Sequence, residues 1–221
     1  MLRPRYITFD CYGTLTNFRI SQMAREAFAD RVSPELMEQF ARDFTAYRLD
    51  EAMGEWKPYK DVIRAALERT CRRWKLEYRD EEAVRMYSAV PTWGPHPDAP
   101  EPLARIAPRI PLVILSNASN DQIHRNVGQL GAPFHAVYTA EQARAYKPRL
   151  RAFEYLLDQL GCGPEEILHV SSSPRYDLMS ANDLGIRHKV FVARGHEPPP
   201  ASAYGCHEIK DIGGLPALVG L

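Results

Sequence analysis

Two periodicities divide the chain. Outside residues 18–90, short apolar runs alternate with amphipathic stretches of about ten residues, the rhythm of strands and crossover helices. Between those limits the apolar positions recur every three or four residues, which predicts helices only. Tyr6-Ile7-Thr8-Phe9 is a β-rich run that ends in Asp10. Met23, Ala24, Ala27 and Phe28 predict a helix over Ile20–Arg31. Ser33-Pro34-Glu35 reads as a helix start, with a hydroxyl N-cap, proline in the first turn and an acid near the positive end of the dipole. That helix carries Leu36, Phe40, Phe44 and Tyr47 to about Glu51. Pro58 opens another through Val62, Ile63, Ala66, Leu67, Cys71 and Trp74, and Asp80-Glu81-Glu82 a fourth through Val84, Met86 and Tyr87.

From Pro91 the pattern changes. Ile110–Leu115 predicts a fully apolar strand running into Ser116-Asn117, followed by a helix near Asp121–Leu130 and a short strand at Ala136–Tyr138. A helix over Leu150–Leu160, a strand at Ile167–Val170, a helix over Asp177–Leu184 and a strand at Lys189–Val192 complete the alternation. The prolines of 91–111 and 195–200 read as loop residues. The fold class is therefore α/β, a doubly wound parallel sheet. Residues 1–17 and 91–221 form the α/β core domain, and residues 18–90 are an inserted helical domain.

Composition narrows the function more by exclusion than by assignment. The 221 residues balance 28 basic against 28 acidic side chains, which gives no electrostatic case for nucleic acid or an anionic membrane as partner. No apolar run approaches the roughly 20 residues of a bilayer span, and Met1-Leu2-Arg3-Pro4-Arg5 leads into a strand rather than a signal-peptide core, so the expected location is cytoplasmic. The four cysteines (Cys11, Cys71, Cys162 and Cys206) show no metal-ligand spacing and read as reduced thiols. Strand alternation turns Cys11 away from the side of Asp10, which disfavours a catalytic thiol there.

In an open parallel sheet, ligands bind beyond the carboxyl ends of the strands. Each such end here carries polar chemistry: Asp10, Tyr12 and Thr14; Ser116, Asn117 and Ser119; Lys147 in Tyr146-Lys147-Pro148; and Ser171-Ser172-Ser173 followed by Asp177. A carboxylate nucleophile, an ammonium partner, a second carboxylate and several hydroxyl and amide donors would converge at one sheet edge. Alone, each element has a plainer reading. Asp10 could cap a turn, Ser116-Asn117 could end a strand, Lys147 could sit on the surface, and Asp177 could cap a helix. His169, set before Val170, and the tryptophans read as structural, with Trp56 the best exception.

The order Asp-x-Tyr-Gly-Thr, strand–Ser-Asn, Lys-Pro and an acid-bearing serine loop resembles the haloacid dehalogenase superfamily over nearly the whole chain. That resemblance implies a Rossmann-like core with a helical cap. Phosphatase members carry a second acid where Tyr12 stands and another where Ser172 stands. Their absence argues against magnesium and against phosphoryl transfer. The pattern is similar to the 2-haloacid dehalogenase branch, whose chemistry needs no cofactor and no metal. On that resemblance Asp10 attacks the substituted C2 of a small 2-haloalkanoate, and water hydrolyses the aspartyl ester to the 2-hydroxy acid. Lys147 holds Asp10 ionised, Asp177 positions or activates the water, and Thr14 and Ser172 orient the carboxylates. Ser116 and the backbone N–H groups of Cys11 and Tyr12 bind the substrate carboxylate, and Asn117 faces the leaving group. Dimerisation is a further implication of the resemblance.

Three positions depart from the branch. Thr45 stands where a halide-binding arginine is expected, with Arg42 and Arg48 about one turn away on either side. Pro174 replaces an asparagine, and Phe153 replaces an aromatic hydroxyl. Another small carboxylate substrate, fluorinated or bearing a strained ring, therefore stays open. So do a magnesium-dependent phosphatase and a non-catalytic binding protein.

Overall fold

The structure is a computed structural model that describes residues 2–221. In chain order, β1 (Tyr6–Phe9) is followed by α1 (Ile20–Ala27), α2 (Pro34–Met53), α3 (Tyr59–Trp74), α4 (Asp80–Ala89) and α5 (Pro100–Ile106). Then come β2 (Leu112–Ser116), α6 (Asn120–Val127), β3 (Ala136–Thr139), α7 (Ala140–Ala143) and α8 (Leu150–Leu160). The chain ends with β4 (Ile167–Ser171), α9 (Met179–Asp183), β5 (His188–Val192), β6 (His207–Ile209) and α10 (Leu215–Val219).

The strands form one sheet in the order β3-β2-β1-β4-β5-β6, with every neighbouring pair parallel. Alternation sorts its side chains between two apolar layers, as a sheet covered on both faces requires. Ile7, Phe9, Cys11, Leu112, Ile114, Leu168 and Val170 pack in one layer, with Leu103 and Ile106 of α5. Tyr6, Val113, Leu115 and Ile167 pack in the other with Phe153 and Leu156 of α8. Strand β1 is the switch point. The chain leaves it toward β2 on one side and returns to β4 on the other, opening a crevice at the strands' carboxyl ends.

The chain divides into two compact units, residues 1–17 with 94–221, and residues 18–93. The second boundary lies three residues later than the sequence suggested. A single 3₁₀ turn over Val90–Thr92 continues α4, and Trp93 packs edge-on against Phe18 at 5.1 Å, which keeps it with the helices. Inside the helical unit Thr45 turns its hydroxyl back onto Ala41 O (2.9 Å). Arg48 lies over the rings of Phe18 and Phe44, 5.5 and 5.6 Å from their centroids.

Several local expectations change. Helix α1 stops at Ala27 rather than Arg31, where Arg31 turns back to bond Ala27 O. Pro34 does open α2, but the Ser33 hydroxyl does not cap the backbone. It bonds the Glu35 carboxylate and lowers its pKa. The stretch 91–111 is not all loop, because Pro100 occupies the first turn of α5, where its missing N–H costs nothing. The helix expected from Asp177 begins only at Met179, after a wide turn over Pro174–Leu178.

Candidate active site

The loop after β1 builds the first wall of the crevice. Asp10 N–H still bonds β4 (Val170 O, 3.1 Å), so the carboxylate leaves the sheet at its edge. Gly13 then takes φ +96°, a conformation that other residues rarely adopt. Its N–H bonds Thr16 O (2.8 Å), and the N–H groups of Leu15 and Thr16 both return to Cys11 O (2.9 Å each). This tight turn brings Thr14 back onto Asp10, with Thr14 Oγ1 donating to Asp10 Oδ2 at 2.7 Å.

Lys147 reaches the same acid from 137 residues away. Its side chain is 1 % exposed, and its Nζ donates to Asp10 Oδ1 (2.8 Å), Asp177 Oδ1 (2.7 Å) and Leu115 O (2.8 Å). All three ammonium protons are thereby used. Burial alone would lower the pKa of Lys147, but the two carboxylates outweigh it and hold it above the ordinary lysine value. Burial pushes Asp10 up. Lys147 opposes this, and the neighbouring charge of Asp177 adds to it, leaving Asp10 above the ordinary aspartate value. Burial would raise Asp177 too, but the Lys147 charge and a bond from His169 outweigh it, leaving Asp177 below that value. The Lys147–Pro148 peptide is cis.

The serine loop after β4 closes the arrangement. Ser172 N–H donates to Thr14 Oγ1 (2.9 Å), and Ser172 Oγ lies 3.0 Å from the same oxygen. Thr14 therefore bonds the Asp10 carboxylate directly, and Ser172 acts on it through Thr14. Ser173 Oγ accepts from Tyr176 N–H (3.1 Å) and starts a turn in which Leu178 N–H reaches back five residues to Ser173 O (3.3 Å). Such widened turns recur at functional sites. Pro174 fits here because the first position of the turn needs no donor. The turn carries Asp177 inward, fully buried, rather than onto a helix cap.

Asn117 also holds the lysine segment, since its Nδ2 donates to Lys147 O (2.9 Å) and its Oδ1 accepts from Lys147 N–H (2.7 Å), so that the amide clamps the lysine backbone. Ser116, 1 % exposed at the end of β2, has no partner for its Oγ among the described residues. The Tyr12 hydroxyl donates to Asn126 Oδ1 of α6 (2.9 Å). The Cys11 thiol is buried in the apolar layer behind the loop, where burial pushes its pKa up to about 12 and removes it as a nucleophile. Among the described residues, no group of three or more His, Cys, Asp or Glu side chains is placed to hold a metal ion.

Three contributors escaped the sequence reading. His169 Nε2 lies 3.0 Å from Asp177 Oδ1. Arg194 bonds Thr14 O through Nε (3.2 Å) and Nη2 (2.9 Å), and pairs with both oxygens of Asp98 (2.7 and 2.9 Å). His196 Nε2 approaches Ser172 Oγ at 3.2 Å. Only His169 left a usable signal. It and Thr8 are polar breaks in two otherwise apolar strands, and they stand opposite each other in the register of β1 and β4.

A carboxylate held by an ammonium, beside a second carboxylate and an unpartnered hydroxyl, is suited to attack on carbon followed by hydrolysis. Residues 4–185 match the family model of haloacid dehalogenase-like hydrolases. Haloacetate dehalogenase H-2 of Moraxella sp. (strain B) is 30 % identical over 189 residues, covering 84 % of each chain. The (S)-2-haloacid dehalogenase of Xanthobacter autotrophicus is 30 % identical over 186 residues, 81 % of this chain and 71 % of the relative. The solved structure of a dehalogenase with an intermediate complex superposes with a TM-score of 0.82 at 25 % identity, covering 100 % of this chain and 99 % of the other. The chain belongs to the haloacid dehalogenase-like hydrolases.

Proposed function

We propose that this protein is a metal-independent dehalogenase that hydrolyses small (S)-2-haloalkanoates through an ester on Asp10. The observation that carries the reading is the Lys147 ammonium bridging Asp10 Oδ1 and Asp177 Oδ1 in a buried site. An Asp10 oxygen forms a bond to C2 as the carbon–halogen bond breaks, and the halide leaves with the bonding pair. Halide needs no proton, so Tyr12, whose hydroxyl is committed to Asn126, is no handicap where a phosphatase would require an acid. Ser116 Oγ, buried and unpartnered among the described residues, is the donor available to the substrate carboxylate.

In the second half, water adds to Cγ of the Asp10 ester and gives a proton to Asp177 Oδ2, a buried oxygen without a partner among the described residues. The bond between Cγ and the former Asp10 oxygen, now carried on C2, then breaks. The departing alkoxide takes the proton back, and Asp10 returns to its carboxylate with loss of one proton to solvent. The relatives named for haloacetate and (S)-2-haloacid substrates support this class. The test is halide release from (S)-2-chloropropionate and fluoroacetate, each with and without EDTA, beside p-nitrophenyl phosphate with magnesium. Halide release indifferent to EDTA is expected. Magnesium-dependent phosphate release with no halide from either acid contradicts the reading.

A further inference from the structure

The mechanism above leaves His169 without a task, although it is fully buried against one of the two essential acids. An ionised Asp177 has no proton to offer, so at 3.0 Å His169 Nε2 is the donor to Asp177 Oδ1. The other ring nitrogen, Nδ1, lies 2.8 Å from Thr8 Oγ1, nearer than that hydroxyl lies to Leu168 O (3.4 Å). Thr8 thus sets the tautomer from the neighbouring strand. Phe153 of α8 packs edge-on against the imidazole, with centroids 5.1 Å apart, which fixes the ring plane.

The result is an asymmetric carboxylate. Oδ1 of Asp177 takes both donors, Lys147 Nζ and His169 Nε2, while Oδ2 is buried with no partner among the described residues. Lys147 alone would leave the carboxylate free to swing about its own axis, because the lysine is shared with Asp10 and Leu115 O. A second donor on the same oxygen, anchored through a strand, removes that freedom and keeps Oδ2 open.

We propose that His169 is a positioning residue for the water step. It holds Asp177 so that Oδ2 receives the proton when water adds to the Asp10 ester, and it has no part in forming that ester. The inference rests on the ester reading above, and its test separates the two. Wild-type protein, His169→Phe, His169→Gln and Thr8→Val are mixed with excess (S)-2-chloropropionate. The first-turnover halide burst, the intact mass of the protein and steady-state halide release are then followed, with circular dichroism to check folding.

In His169→Phe the burst is expected to stay near the wild-type rate, while the substrate-derived mass accumulates on Asp10 and steady-state release falls roughly 10- to 100-fold, the effect of losing one bond to a charged group. Gln, which can donate to Oδ1, restores part of the rate. Thr8→Val, which removes only the hydroxyl on Nδ1, shows the same accumulation in milder form and carries the test if the phenylalanine variant does not fold. Ester that turns over in these variants as fast as in wild type overturns the role of His169 and leaves the ester mechanism standing. Failure to find substrate mass on Asp10 in any protein that releases halide overturns both.

Discussion

Asp10 and Asp177 share one ammonium, yet their acidities move in opposite directions, and this has a consequence for activity. In the proposed mechanism Asp10 must be ionised to attack, and burial holds its pKa above the ordinary 3.8. Activity is therefore lost as pH falls through a midpoint above that value. Lys147, raised above 10.5, imposes no alkaline limit below that pH. The acid limb of kcat/KM for halide release should accordingly lie above pH 3.8, and Asp177→Asn, which removes a like charge, should move it down. A limb at or below 3.8 in the wild type contradicts this account. Thr14→Val removes the donor to Asp10 Oδ2 and strands the Ser172 N–H. A bond to a charged group contributes about 1.5–3 kcal/mol. The substitution should therefore lower kcat/KM roughly 10- to 100-fold while Asp10 remains in place. At this scale the meeting of Asp10, Thr14, Ser172 and Asp177 was legible because each lies in a loop after an apolar strand, and that of Lys147 because of its place before Pro148 in the order of motifs. His169 was not, because a lone histidine inside an apolar strand reads as core until its register partner Thr8 is known.

Four segments form the site, the loops after β1, β2 and β4 and the stretch between α7 and α8 that carries Lys147, and their shapes are set by elements that do not touch the reacting atoms. Arg194, just beyond β5, ties Thr14 O to Asp98, which in turn accepts from Ile212 N–H (2.9 Å). The Asp10 turn is thus fastened to the far end of the chain. Arg194→Ala removes both bonds to Thr14 O and leaves Asp98 half-satisfied, which should destabilise the protein by roughly 1–3 kcal/mol. Urea unfolding should register that loss together with a fall in kcat, and an unchanged midpoint would show that the Arg194 fastening is idle. Elements with clear periodicity were read correctly in kind. Helix α5 was missed because proline reads as a breaker away from a first turn, and β6 and α10 because segments of three and five residues carry too little pattern. The wide turn before α9 has no sequence period at all; only the inward path of Asp177 reveals it.

At the scale of the molecule, the Asp10 carboxylate just beyond the first strand meets an ammonium 137 residues later, and this is possible because β1 lies inside the sheet between β2 and β4. Alternating apolar runs made that architecture legible, since strands that alternate regularly with helices of crossover length are the pattern of a parallel sheet. The helical unit of residues 18–93 interrupts the chain directly after the Asp10 loop, while Asp10, Lys147 and Asp177 all belong to the other unit. The ester mechanism turns on which atom reaches C2 first. With enzyme in excess over (S)-2-chloropropionate in H₂¹⁸O, a single turnover should leave the heavy oxygen in the side chain of Asp10, read by peptide mass spectrometry, and none in the lactate. Heavy oxygen in the lactate of that first turnover, with Asp10 unlabelled, would mean that water attacks carbon directly and that no ester forms.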